Sequence, residues 1–233
     1  MIKLDAPFEI VRTARRKTAS ITIENGFVKI AVPVGLSDDK IDEIVNKRRE
    51  WIAKRIFENA KIKPQKSKQF ISGESFAYLG KNYRLKRIVG KESGVVFKGG
   101  YLFVGVKPEW SEGQCEVHIR LELGKWFREQ SMKRLKSKVK KYSEIIGVKP
   151  KSIKIQKLEN RWGSCSPNGD IIFNWRIISA PNSVVDYVVV HELCHLKEHN
   201  HSEAFWNHVS RILPDYKNQK EWLKYNGDSL GLI

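Results

Sequence analysis

The segment His191-Glu192-Leu193-Cys194-His195 constrains this chain most, because it follows directly on the apolar stretch Val184 to Val190, which carries only one charge, at Asp186. The stretch reads as a buried helix that ends in the motif. Residues four apart on a helix share one face, with Cβ atoms about 5–6 Å from each other, so His191 and His195 can bind one metal ion together. Glu192, one step along, projects to the side where a water on that metal would sit. There it can accept the water's proton as general base.

A catalytic zinc takes three protein ligands and keeps one position open. The nearby candidates for the third are Glu198, His199, His201, Glu203 and His208. His201 stands ten residues after His191, the spacing of the metzincin pattern HExxHxxGxxH, and is preferred. Glu198 occupies the place of that pattern's glycine, and Asn200 is the residue expected to supply the turn, since asparagine tolerates the left-handed conformation. On a straight continuation of the helix His199 would drift about 80° from the metal face. His208 falls inside the next helix, which Ser202 would cap and whose core stripe is Phe205, Trp206, Val209 and Ile212. Cys194 reads as a small buried hydrophobe rather than a ligand.

The rest of the chain reads as α+β. Phe8 to Val11, Ser20 to Ile23 and Val28 to Val32 alternate as half-buried strands, with Asn25-Gly26 as a hairpin turn. One helix is expected from Ser37, with Ile41, Ile44, Val45, Ile52 and Ile56 as its stripe, fading into the polar connector 63–68. Four strands follow, at Phe76 to Leu79, Tyr83 to Ile88, Gly94 to Lys98 and Tyr101 to Val106. Residues 112–146 read as one long helix closed by Gly147, with Val117, Leu121, Leu123, Trp126, Phe127, Met132, Leu135, Val139, Tyr142 and Ile145 at helical spacing. Strands are then expected at Ser152 to Ile155 and Ile171 to Arg176. The organisation expected is a β-rich N-terminal region with one helix over residues 1–110 and a catalytic, metal-binding domain over 111–233.

Composition bounds the setting. The chain has 233 residues and a formal charge of +17, which attracts polyanions, although no nucleic-acid-binding motif is present. Its apolar runs are too short to span a bilayer, and Met1 to Asp5 do not open a signal peptide. The three cysteines, Cys115, Cys165 and Cys194, lie far apart and suit a reducing compartment. A cytoplasmic location without a membrane partner is expected.

Arg161-Trp162-Gly163-Ser164-Cys165, Asn174-Trp175-Arg176, His191 to His195, Asn200-His201-Ser202 and Phe205-Trp206 together closely resemble the YgjP-like zinc metallopeptidases, relatives of the SprT-like and WLM peptidases. The weaker Arg12-x-x-Arg15-Arg16-Lys17 also fits that family. The resemblance implies a zincin-like fold, zinc ligands His191, His195 and His201, a catalytic Glu192, and a peptide or protein substrate. It also implies an edge strand beside the metal helix, a place that Ile171 to Trp175 fits, where a peptide could add by main-chain hydrogen bonds. Arg161, Trp162 and Asn174 are candidate substrate-binding residues: Arg161 for an oxyanion, carboxylate or phosphate, Trp162 with Trp175 as cleft walls, and Asn174 for a substrate backbone. Asp215 could orient a ligand histidine or start a helix. Two other functions suit the same residues. One is a metal-dependent nucleoside triphosphate pyrophosphohydrolase. The other is a nucleic-acid-associated protein-processing factor that contacts the polyanion through Arg12, Arg15, Arg16 and Lys17.

Overall fold

The computed structural model describes residues 6–14, 18–24, 27–60, 68–90 and 94–230. The chain divides into two compact units, Met1–Gln65 and Lys66–Ile233.

In the first unit, strands β1 (Phe8–Thr13), β2 (Ser20–Glu24) and β3 (Phe27–Pro33) form a sheet with β3 in the centre. β1 runs parallel to it and β2 antiparallel. The Asn25-Gly26 turn lies outside the described residues. Val28, Ile30 and Val32 alternate onto one face of β3 and are buried against Ile41, Val45 and Ile52. Instead of the single helix expected there are two, α1 (Asp38–Lys47) and α2 (Arg49–Ala60), broken at Arg48 with φ −108° and ψ 9°. The apolar stripe keeps its phase across the break, so periodicity carries no sign of it. Arg12 donates to the carbonyls of Val34 and Leu36 and pairs with Asp38 at 2.5 Å. Its guanidinium therefore ties β1 to the start of α1 and is not free for a polyanion. Arg15, Arg16 and Lys17 lie outside the described residues.

The second unit opens with β4 (Ser75–Tyr78), β5 (Lys81–Val89), β6 (Val95–Lys98) and β7 (Tyr101–Val106), ordered β4-β5-β7-β6. Helix α3 (Glu112–Ile146) starts in a capping box between Ser111 and Gln114 and ends at Gly147 in the left-handed conformation. Its first half covers this sheet: Ile119, Leu123, Trp126 and Phe127 pack with Phe76, Leu85, Leu102 and Val104. Its second half, from Leu135 to Ile146, packs on the helix that carries the metal motif. Val117, Leu121 and Ile145, expected on the core stripe, are exposed, while Cys115, Ile119 and Ile146 are buried. The helix is apolar on more than one face, so spacing alone allows both phases.

Strands β8 (Ser152–Gln156), β9 (Gly163–Cys165) and β10 (Asp170–Asn174) form the third sheet, in the order β8-β10-β9. A 3-10 turn, Trp175–Ser179, leads to α4 (Asn182–Cys194), α5 (Glu203–Ile212) and α6 (Tyr216–Asn226). Buried Ser131 of α3 donates to the Trp175 carbonyl at 2.7 Å and fixes that turn. No helix among the described residues is long and apolar enough to cross a membrane.

The division at 65/66 differs from the boundary expected at 110/111. Strands β4–β7 share one core with α3, and a cut at 110 would strip that core. The prediction is that residues 66–233 unfold in one cooperative transition, whereas residues 111–233 do not, because Leu123 and Phe127 would lose their cover. Denaturant unfolding followed by circular dichroism checks it.

Candidate metal centre

Helix α4 is buried on nearly every side: Val184, Val185, Val188, Val189, Val190, Leu193 and Cys194 all lie in the core. A helix apolar all round belongs inside a fold, and its position is set by what surrounds it. Its N-terminal Asn182 and Ser183 are exposed, and at its C-terminal turn His191 and His195 are half-buried, open enough to meet a metal. After Cys194 the chain turns through tight backbone bonds from Leu196 to Leu193 and from Lys197 and Glu198 to Cys194. Asn200 does not take the left-handed conformation expected of it: among the described residues Phe70 and Leu79 are the non-glycine residues with positive φ. The short-range bonds after Cys194 turn the chain without it. Ser202 accepts from the Phe205 amide and caps α5, as expected.

The turn brings His201 back onto the helix. The ligand atoms of His191, His195 and His201 all lie within 4.8 Å of one another. Nε2 of His191 and Nε2 of His201 are 3.0 Å apart, a spacing that suits two nitrogens on one small ion at about 2.0–2.1 Å. Nδ1 of His195 faces the Glu198 carbonyl at 3.0 Å. A proton on that nitrogen leaves Nε2 as the ligand atom, the usual arrangement for a metal-binding histidine. Aromatic rings hold the imidazoles: Phe205 stacks on His195 at 4.5 Å and Trp206 on His201 at 5.6 Å. Tyr187, one turn before His191, meets it edge-on at 5.7 Å. Nδ1 of His191 is buried without a hydrogen-bond partner among the described residues, so packing orients this ring.

The electrostatics favour neutral imidazoles. Burial pushes His191 down to about 3, with the other two histidines and Lys220 adding to the effect. Burial also lowers His195, opposed by its bond to the Glu198 carbonyl. Neutral imidazole is the metal-binding form. Glu192 is 5% exposed. Burial pushes its carboxyl up to about 8, and the charge of Arg161 pulls the other way. A dication beside it would favour the carboxylate further.

The strand beside Glu192 is β9, not the Ile171–Trp175 segment expected there. β10 is central, pairing parallel with β8 and antiparallel with β9, and has no free edge. Its nearly continuous apolar run fits a strand covered on both sides. β9 is short and Gly-Ser-Cys in sequence, so it lacks a propensity signal. Gly163 is the residue that sequence reasoning passed over. A Cβ there would lie 2.5 Å from Glu192 Oε1 and 2.7 Å from its Cδ, while the glycine's φ is outside the left-handed region. The glycine is needed for space rather than for backbone freedom, and a glycine within a short strand is the available signal for such close approach.

The other candidates separate. Asn174 is 3% exposed. Its amide donates to the carbonyls of Leu158 and Arg161 and accepts from the Arg176 amide. It shapes the loop that presents Arg161, and both of its amide hydrogens are taken by backbone carbonyls. Trp162 is half-buried and packs on the core around α4, and Trp175 is 3% exposed within the other core. Asp215 sits exposed at the start of α6 without a side-chain capping bond. Cys194 is fully buried, and burial pushes its thiol up to about 11. His199 is exposed. Arg161 is exposed and borders a cavity with Trp162.

Three histidines that can hold one ion, beside a buried carboxylate, define a metallohydrolase site of the metallopeptidase class. The chain belongs to the YgjP-like family, whose metallopeptidase domain matches residues 17–226. Among solved structures it is similar to the zymogen of the metallopeptidase abylysin from Pyrococcus abyssi, with a TM-score of 0.36 and 22% identity over 38% of this chain and 90% of that one. A comparison with curated proteins finds no match.

Gly163→Ala should retain the fold and the metal but lower kcat about 10- to 100-fold, since a displacement near 1 Å at a catalytic group costs about that much. Metal stoichiometry and kcat on any cleaved peptide check it. A wild-type kcat would show that Glu192 does not depend on β9.

Proposed function

We propose that this protein is a zinc-dependent peptidase in which His191, His195 and His201 hold the metal and Glu192 is the general base. The observation that carries this reading is the convergence of three histidine ligand atoms within 4.8 Å beside a carboxylate that Gly163 alone leaves room for. Three imidazoles favour zinc among the common divalent ions. Bound there, zinc would supply Lewis acidity toward a carbonyl oxygen and lower the pKa of a water.

The protein's own residues supply the remaining work. Glu192 takes a proton from the attacking water and returns it to the leaving amine. Its burial excludes bulk water and holds the carboxyl in one place. Phe205 and Trp206 keep the imidazoles from turning. The free edge of β9 offers main-chain groups beside Glu192 on which an extended peptide can align.

Arg161 motivates a second reading, hydrolysis of a nucleoside triphosphate at the same centre, because a guanidinium pairs with phosphate as well as with carboxylate. Metal-dependent pyrophosphate release from a panel of nucleoside triphosphates would favour it. The nucleic-acid-associated reading loses one of its contacts, since Arg12 is engaged within its own unit.

Three variants test the proposal. Glu192→Gln should bind zinc as the parent does and lose at least about 100-fold in kcat. His201→Ala should lower zinc affinity, measured by chelator competition, about 10-fold or more, whereas His199→Ala should leave it unchanged. Full activity in Glu192→Gln, or equal zinc affinity in both histidine variants, contradicts the assignment.

A further inference from the structure

Next to the loop that leads into β9 lies a polar cavity of about 360 Å³, lined among others by Glu159, Arg161, Trp162, Asn174, Arg176 and Asp228. Its floor is built. Asn174, 3% exposed, pins the carbonyls of Leu158 and Arg161 and the amide of Arg176, so one buried side chain sets the backbone beneath both arginines. The Arg176 guanidinium lies 5.6 Å from the ring of Trp175, which is itself buried. That contact holds a long side chain that would otherwise wander.

Neither arginine has a carboxylate within ion-pair distance among the described residues, although the charge of Arg161 is felt at Glu192. Nε of Arg176 is buried without a hydrogen-bond partner among those residues. Both arginines line the cavity with no carboxylate in ion-pair distance, so an anion bound there is favoured. The lining acids do not supply it. Glu159 pairs with Lys157 at 3.0 Å, and Asp228 is exposed on the short 3-10 turn Gly227–Ser229. Two fork-shaped donors facing a polar cavity match a planar anion that can accept two parallel bonds.

The cavity also lies next to the proposed chemistry. Arg161 and Trp162 line it, and Gly163, the next residue, is in contact distance of Glu192. A peptide aligned on the edge of β9 would pass from Glu192 toward Arg161.

We propose that this cavity is a carboxylate subsite, in which Arg161 and Arg176 clamp an acidic group of the peptide substrate. The inference rests on the peptidase reading above and names its substrate class: peptides with an acidic side chain near the scissile bond, or with a free C-terminal carboxylate just beyond it. Arg176 acts in binding, so its effect falls on KM rather than on kcat, whereas Arg161, whose charge also favours the Glu192 carboxylate, touches both.

The test uses the zinc-loaded full chain and three peptide sets of one core sequence. The first carries a glutamate at each position near the scissile bond in turn and an amidated C-terminus. The second is neutral with a free C-terminus, and the third is neutral and amidated. At least one of the first two sets should show a KM about 10-fold or more below the third, and the set that does so identifies the source of the carboxylate. Arg176→Gln and Arg161→Gln should abolish that advantage, and Arg176→Lys should restore part of it. Fluorescence anisotropy of the same labelled peptides on Glu192→Gln reads the subsite without turnover. Failure of every peptide to be cleaved would thus count against the peptidase reading, while the binding series still judges the subsite. Equal binding of all three sets, an advantage that survives Arg176→Gln, or displacement by nucleoside triphosphate but not by acidic peptide would overturn the proposal.

Discussion

The burial of α4 is the constraint on which the rest of this structure depends. A helix with Val184, Val185, Val188, Val189, Val190, Leu193 and Cys194 all in the core cannot stand at a surface. The second half of α3 and the residues around α5 and α6 close over it. Burial of so many apolar side chains, each contributing about 1.5–3 kcal/mol relative to exposure, holds the helix against displacement. The two histidines at its C-terminal turn inherit that rigidity. The third arrives by a turn that needs no strained backbone, and the rings of Phe205 and Trp206 fix it.

What the sequence made legible follows the strength of each local signal. The four strands from β4 to β7, the length of α3, its Gly147 cap and the Ser202 cap of α5 were all readable, because each rests on alternation or on a capping residue. The convergence of His191, His195 and His201 was readable from spacing alone. Less accessible were features that depend on what lies opposite. Val117 and Leu121 look like core residues, yet the face of α3 that meets the sheet carries Ile119 and Leu123. The sequence of β10 does not show that it is paired on both sides, by β8 and β9. The break at Arg48 leaves the apolar stripe in phase. The role of Gly163 is a distance between two side-by-side elements, and no propensity records it.

The high positive charge suggests a polyanion as partner. The structure distributes the cations to several separate tasks. Arg12 is absorbed by backbone carbonyls, Lys138 pairs with Asp186 across α3 and α4, and Lys220 lies 4.1 Å over the ring of Trp206 beside the histidines. Arg161 and Arg176 differ from these in bordering one cavity without forming an ion pair among the described residues. Charge thus informs substrate choice through the few cations that remain uncommitted next to the site, more than through the net total.

The most direct measurement is anomalous diffraction from crystals of the zinc-loaded protein at the zinc absorption edge. The account predicts one peak about 2.0–2.1 Å from a ring nitrogen of each of His191, His195 and His201, with the remaining position taken by solvent and Glu192 beside it but not bound. A peak ligated by His199 in place of His201, or closed by a fourth protein side chain, would contradict it.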